Sequence, residues 1–548
     1  MALKQMGKLQ QGTEDPLEFE FYGFKGGLNV KGAPQMIDDE DLTIATNGYL
    51  RPDGAFQLRN GMANLGLPVA VGTHSLYLAR FFQDVKNGAV VSPENVALLG
   101  VFNGSLYGVP SSGAATLIGS VGAIDSQATF VRFQDPNNPN YVSGLTDVIV
   151  ICTGNGGPYV YDGLNLYTPA GWSQAASAQW CCIVNGIVWF GGIKTLPNQI
   201  FGTGDGITAS IESLPAYRNF IFSTPVFGLV ALGAGATANL VVGLNSGIGM
   251  LSGTGPSTFY LQEIAFSDGV TAGRTMVFDN GLIFFLGHNA VFSFDGQTTP
   301  KQISQKIEPW ILNDPLTTGY PMTGFRQLSW ATVYNNRLHV GYCSSTTTPN
   351  VILTFDLIVG GWTVQIPTPG IASMCLLDAP SDPNPGPAIV GSSISGQAYT
   401  WDFVTASTGI AYDGAPSSPV LAAVQSKFFK IGVPGTSKTL LRYYPEFLYA
   451  GSFSVTTSVA TDYGATTNAV TSTAPNAVLM TGIWDVSAWD GAVWDGQFSK
   501  FSAFGAPTSR LDFNVQADSF AFGVVMSQGL APWIWSGATG AIQQGGRA

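Results

Sequence analysis

The chain has 548 residues and a net charge of −12, with charged residues at 11% against roughly 25% in an ordinary soluble protein. No Lys/Arg cluster occurs anywhere, which excludes a surface that grips nucleic acid by releasing counterions, though not a channel through which nucleic acid slides without sticking. So few ionic groups cannot cover the whole outer surface, which leaves either a large β core under Ser, Thr, Asn and Gln surfaces or faces buried in an assembly, where charge is depleted.

Residues 1–20 are polar and carry Glu14, Asp15, Glu18 and Glu20. They read as an arm that orders only against a partner. The start lacks the apolar core of a signal peptide. Residues 21–66 form a distinct opening block, running from Phe21 to the Arg59-Asn-Gly61 turn. One helical turn is expected over residues 38–45, because Asp38, Asp39, Glu40 and Asp41 suit a helix N-terminus.

Residues 67–420 carry an internal repeat: an apolar run, a Gly or Asn turn, and a second apolar run closed by Asp-Gly or an equivalent. Clear copies are Asp147-Val-Ile-Val-Ile-Cys-Thr-Gly154 leading to Tyr159-Val-Tyr-Asp162-Gly163, and Gly281-Leu-Ile-Phe-Phe-Leu-Gly287 leading to Val291-Phe-Ser-Phe-Asp295-Gly296. The closing turns fall near residues 111, 162, 204, 253, 295, 356 and 402. A period of roughly 40–50 residues built from short strands predicts one small sheet per unit, hence a β-propeller of six or seven blades in an all-β chain. Asn103-Gly104, Asn185-Gly186 and Asn280-Gly281 are two-residue hairpin turns that need positive φ. The segment from Asn219 to Gln262 has no charged residue, but Pro225 and several Gly and Asn break it. A bilayer helix needs about 20 largely uninterrupted apolar residues, so this is a buried blade and no membrane-spanning segment is expected.

The repeat stops near Ala415-Pro-Ser-Ser-Pro419. Residues 421–548 read as a C-terminal antiparallel β-sandwich, with strands expected at 427–431, 440–444, 447–449, 453–460, 509–516 and 520–527. Between them Trp484, Trp489 and Trp494 each precede an Asp, at a spacing that matches neither strand nor helix. This ribbon, with Trp533 and Trp535, either packs under the sandwich or caps a subunit contact, where Trp is enriched.

No catalytic, cofactor-binding or metal-ligating residues are assigned. His74, His288 and His339 lack the spacing of zinc hydrolases. The segment from Gly432 to Thr439 has Ser437 where a phosphate loop needs Gly before its Lys, and Gly202-Thr-Gly-Asp-Gly206 has no following helix. Gly391-Ser-Ser-Ile-Ser-Gly396 has the wrong spacing for a nucleophile elbow. Asp162, Asp295, Asp356 and Asp402 recur after an aromatic residue in each unit, where Asp caps a turn by accepting backbone N–H groups. The acidic run at 38–41 and the loop at Asp135 are unspecific as metal sites. Cys152, Cys181, Cys182, Cys343 and Cys375 are odd in number, contain no C-x-x-C and read as small buried hydrophobes.

The opening block resembles that of podophage tail proteins, the tail nozzle group and related propeller-bearing tail hubs. The residues carrying this are Gly26-Gly-Leu-Asn29, Pro34, the acidic run at 38–41, Asn47, Gly54 and Arg59-Asn-Gly61. The Trp-Asp ribbon and the terminal Gly545-Gly-Arg-Ala548 are similar to the ends of the same group. The resemblance implies a non-enzymatic virion component without cofactor, assembled in the host cytoplasm as a ring of six copies. The ring would sit below a tail adaptor, meet fibre or tip proteins, and enclose the channel through which the DNA leaves without sequence-specific binding. The competing class is a propeller-type glycan-binding or glycan-cleaving protein, since propellers also host paired-acid chemistry. A cellular propeller scaffold of the WD type is a third.

Overall fold

The computed structural model describes residues 4–6, 16–65, 73–81, 95–110, 113–122, 128–134, 147–163, 165–205, 210–233, 238–315, 318–376, 388–393, 395–403, 413, 420–432, 437–449, 453–462, 466–473, 499–501, 511–529 and 533–544. Among them the chain is all-β, with helix confined to short 3-10 turns and the segment Glu308–Leu312. The repeat folds as antiparallel meanders of four strands. The first is Thr73–Phe81, Asn95–Phe102, Ser105–Val109 and Thr116–Ser120. The second to fifth open with Thr129–Gln134, Trp180–Val184, Val226–Leu232 and Val277–Asp279. The sixth (Trp330–Tyr334, Arg337–Tyr342, Val351–Asp356, Trp362–Gln365) forms the first four strands of a ten-stranded sheet. The opening strands of successive sheets touch one another, and the opening strand of the seventh, Ile371–Cys375, returns to Thr73–Phe81. The sheets therefore form a closed cycle, an arrangement of the β-propeller type.

This packing explains why the strands read as unbroken apolar runs. On Asp147–Cys152, Val148, Val150 and Cys152 face the third sheet, while Ile149 and Ile151 face the first. A strand covered on both faces has no solvent side on which to carry charge. The uncharged stretch from Asn219 to Gln262 has the same cause: Leu240 and Val242 pack toward the third sheet and Val241 toward the fifth. The hairpin turns have the left-handed backbone that their sequences require, with φ of 43° and 79° at Asn103-Gly104 and 53° and 72° at Asn185-Gly186. Cys152, Cys181, Cys343 and Cys375 are buried, and none of the five cysteines is in a disulfide. Burial pushes Cys182 up to about 12 and Cys343 up to about 11, so neither is a ready nucleophile.

The seventh sheet corrects the ring boundary. Its fourth strand is Gly61–Leu65, which precedes the first sheet and pairs with Ala398–Phe403 through Met62↔Trp401 and Asn64↔Tyr399. The ring thus includes residues before 67, because a cyclic array closes by pairing the two ends of the repeat. The opening block is likewise not a separate unit. Its strands run into the C-terminal region, where two sheets face each other. One contains Leu17–Tyr22, Trp533–Gln544 and Lys438–Tyr449; the other contains Asp41–Thr46, Ala423–Ser426, Phe520–Gly529, Phe453–Thr461 and Thr466–Thr473. Between them lies an aromatic core, with Tyr443 stacked on Phe522 at 4.8 Å and the Phe24 ring tilted against Trp535 at 4.7 Å.

Three further expectations change. Residues 17–20 are no free arm: Leu17–Tyr22 pairs along its length with Trp533–Gln544, and Phe19 is buried between the sheets. Leu17, Phe19 and Phe21 alternate with Glu18, Glu20 and Tyr22, a strand signal that a boundary at residue 20 cuts in half. Residues 41–46 are a strand where a helical turn was expected. Leu42 and Ala45 are fully buried, and tertiary pairing on both sides outweighs the local preference of acidic residues for a helix start. The expected strands at 440–444 and 447–449 are one strand, Lys438–Tyr449, with Pro445 beside a register shift at Glu446/Phe447. The Trp484–Trp494 ribbon, the Asp135 loop and the terminal Gly545 to Ala548 lie outside the described residues.

Candidate functional site

The residues of the opening pattern converge on the junction between the ring and the two-sheet region. Gly27–Leu28 runs parallel to Asp41–Thr46 and also contacts Trp362, so the sixth sheet continues through these strands into the C-terminal sheet. Both glycines are required there. A Cβ on Gly26 would stand 2.0 Å from Oδ1 of Asp41, and one on Gly27, at φ +67°, would stand 2.6 Å from the Trp362 nitrogen.

Asp41 is the centre of the first knot. Its side chain is fully buried, accepting from Lys306 Nζ at 2.6 Å and from Asn29 Nδ2 at 2.7 Å. Lys306 also donates to the Gly26 carbonyl at 3.0 Å. Beside it Lys427 pairs with Asp39 at 2.5 Å and donates to the Ile37 carbonyl at 3.0 Å. A polar cleft of about 630 Å³ opens between these groups, lined by Asp38, Glu40, Asp41, Lys306 and Lys427 among others. Among the described residues no cluster of His, Cys, Asp and Glu is placed to hold a metal.

Asn47 and Arg59 make the second knot. Asn47 has φ 55°, and its side chain accepts from the Ile366 N–H at 2.7 Å and donates to the Leu421 carbonyl at 2.7 Å. The Arg59 guanidinium is fully buried, donating to Asp413 Oδ2 at 2.5 Å and lying 5.1 Å from the Trp401 ring centroid. Asp413 Oδ2 also accepts from the Thr368 N–H at 3.1 Å. One cluster of side chains therefore joins the opening block, the end of the sixth sheet, the seventh sheet and the chain returning to the C-terminal region. This chemistry holds elements in place rather than activating a group.

The repeated Asp residues cap turns. Asp162 Oδ1 accepts from the Asn165 N–H at 2.6 Å, and Asp295 Oδ1 accepts from the Gln297 and Thr298 N–H groups at 2.9 Å each. These bonds hold the Asp295 carboxyl below the usual carboxylate range. Asp356 Oδ1 accepts from Ile358 at 3.0 Å and Val359 at 2.9 Å, while its Oδ2 meets Arg337 Nε at 3.3 Å. Asp402 differs, because it lies within the strand Ala398–Phe403. Asp356→Ala should cost about 1–2 kcal/mol in urea unfolding, the scale of a lost cap, and more than the exposed Asp295→Ala.

The histidines do not converge. His339 is buried in the sixth sheet, with Nδ1 3.1 Å from Thr354 Oγ1, while His288 is exposed with Nε2 3.3 Å from the Asn245 carbonyl. His74 lies on the opening strand of the first sheet. Sequence reading missed Lys306 and Asp413 as partners of the opening block, since no local pattern marks residues hundreds of positions away. Trp535 packs internally against Phe21 and Phe24. Among the described residues, no helix is long and apolar enough to cross a membrane.

No family model matches the chain, and no curated protein is significantly similar to it. Solved structures resemble it at low identity. The BBS1N chain crystallised with ARL6DN shares 9% identity over 64% of this chain and 99% of its own, with a TM-score of 0.40. The extracellular domain of the putative one-component system BT4673 from B. thetaiotaomicron shares 12%, over 93% of this chain and 68% of its own, with a TM-score of 0.38. The Neurospora crassa Pan2 WD40 domain shares 11%, over 67% of this chain and 97% of its own, with a TM-score of 0.33.

Proposed function

We propose that this chain is a structural component of a phage tail, forming the distal nozzle or hub ring that encloses the DNA exit channel. In this reading the successive sheets are the blades of a seven-bladed propeller, and the two facing sheets are an antiparallel sandwich fused to the sixth blade. The observation that supports it best is the fate of the opening pattern, which resembles that of podophage tail proteins. Gly26, Gly27, Asn29, Asp41, Asn47 and Arg59 all serve the joint between propeller and sandwich. A subunit of a tube that withstands genome passage needs its two parts held as one body, and these residues hold them. Asp162, Asp295 and Asp356, the acids that a glycan-cleaving reading would draw on, are engaged by turn N–H groups. The function is then geometric, with six copies forming a virion ring between an adaptor above and fibre or tip proteins below.

Class-averaged electron micrographs of the purified protein test this directly. The expected result is a six-fold ring with a central bore whose wall carries no continuous Lys/Arg track. A monomer, or an assembly without a bore, overturns it.

A further inference from the structure

An Asn-Gly pair can modify its own backbone, because the glycine nitrogen, unhindered by a Cβ, can attack the asparagine side-chain carbonyl. Among the described residues such pairs begin at Asn47, Asn60, Asn103, Asn155, Asn185 and Asn280. The fold treats them differently. Asn47 is buried with Nδ2 donating to the Leu421 carbonyl, and Gly61, after Asn60, lies in a strand paired with Ala398–Phe403. Asn103, Asn185 and Asn280 have positive φ in two-residue hairpins, so closing a ring there breaks the pairing on either side. Asn185 Nδ2 is also held by the Ala238 and Gly253 carbonyls at 3.1 and 3.2 Å, and Asn280 Nδ2 by Asp279 Oδ2 at 3.0 Å.

Asn155 differs on each count. It lies in the open connection between Asp147–Cys152 and Tyr159–Tyr161, and Gly156 is exposed. Neither Asn155 Nδ2 nor the Gly156 N–H donates to a group among the described residues. Asn155 Oδ1 instead accepts from the ammonium of Lys194, an exposed side chain that follows the third-sheet strand Ile187–Gly191. The leaving nitrogen and the attacking nitrogen are thus unencumbered, and the carbonyl between them is polarised by a cation.

We propose that Asn155 is a site of spontaneous deamidation and that Lys194 activates it. The Gly156 nitrogen gives its proton to hydroxide and attacks Cγ of Asn155, and negative charge collects on Oδ1, where the Lys194 ammonium already sits. The side-chain nitrogen takes a proton from water and leaves as ammonia, closing a five-membered succinimide. Water then opens the ring: at Cγ it gives aspartate, and at the backbone carbonyl it gives isoaspartate. The aspartate product meets Lys194 as a carboxylate, so an ion pair ties the second sheet to the third where an amide now stands. The isoaspartate product inserts an extra backbone atom beside Gly156, whose carbonyl accepts the Ser177 N–H at 3.3 Å.

The test incubates the full-length protein at neutral pH and follows each Asn-Gly peptide by mass spectrometry, with isoaspartyl methyltransferase labelling for the rearranged product. In the folded protein Asn155 should convert ahead of Asn103, Asn185 and Asn280. In urea the four should convert at similar rates, because the ordering belongs to the fold. Lys194→Met should slow conversion at Asn155 about tenfold, less than the roughly 10²–10³ of an enclosed oxyanion donor because Lys194 is exposed. Lys194→Arg keeps a cationic donor and should convert nearly as fast as the wild type. Thermal unfolding checks that both variants fold, and the ordering in the wild type stands as a test without them. Asn155 left intact in the folded protein after the urea-unfolded chain has converted overturns the proposal. So does a hairpin Asn that converts first, or a folded Lys194→Met protein that converts at the wild-type rate.

Discussion

Lowering the pH from 6.5 to 4.5 should destabilise the wild type by about 2 kcal/mol more than His339→Asn, as read from urea unfolding at each pH. His339 lies in the sixth sheet, where burial and the neighbouring Arg337 guanidinium push its imidazole down from 6.5 to about 3. Its surroundings are the rings of Tyr49 and Trp401 and the Thr354 hydroxyl. The folded state keeps the ring neutral while the unfolded chain protonates it below its ordinary value. Between those two pH values the unfolded state binds the extra proton, so stability is complete above 6.5 and falls as the pH drops toward 3. Each pH unit contributes about 1.4 kcal/mol. The Asn variant leaves a cavity and is less stable near neutrality, but it lacks this proton and should show a shallower acid slope. Equal slopes in the two proteins would mean that His339 is protonated in the fold.

Arg59→Ala should cost about 3–5 kcal/mol, the largest single loss expected at the junction. The Asp413 carboxylate, with side-chain exposure of 5%, would keep its charge without the guanidinium that now meets it at 2.5 Å. Among the described residues its Oδ1 has no hydrogen-bond partner, and the neutral Thr368 N–H on Oδ2 does not replace a guanidinium. Trp401 would also lose the cation over its ring. The double variant Arg59→Ala, Asp413→Asn should be less destabilised than the sum of the two singles, because removing both partners leaves no stranded charge. Strict additivity in urea unfolding would show that the two side chains act independently.

The meander strands, the hairpin turns at Asn-Gly pairs and the Asp-capped turns were legible in the chain, because each follows from a few adjacent residues. Residues 147–163 specify two paired strands, the cis turn at Gly157-Pro158 aside, and the packing keeps both. The strand Trp533–Gln544 was missed, because its run of Ser, Gly, Ala and Thr has neither apolar alternation nor β-branched bulk. It forms because Lys438–Tyr449 and Leu17–Tyr22 pair with it on either side, and small residues let Phe19 and Tyr22 lie close to Gly540 and Gly537.

The sequence by itself determined the class of structure. A charge-poor chain repeating short apolar runs and positive-φ turns can bury its strands only between like sheets, which is a local and periodic property. Tertiary structure alone decided where the ring closes, which segments join it to the two-sheet region, and what the opening pattern is for. Those outcomes depend on pairs such as Arg59 with Asp413, Asp41 with Lys306 and Met62 with Trp401. Such pairs form only when distant strands are already in register, and the energy of a buried ion pair depends on surroundings that no stretch of sequence contains.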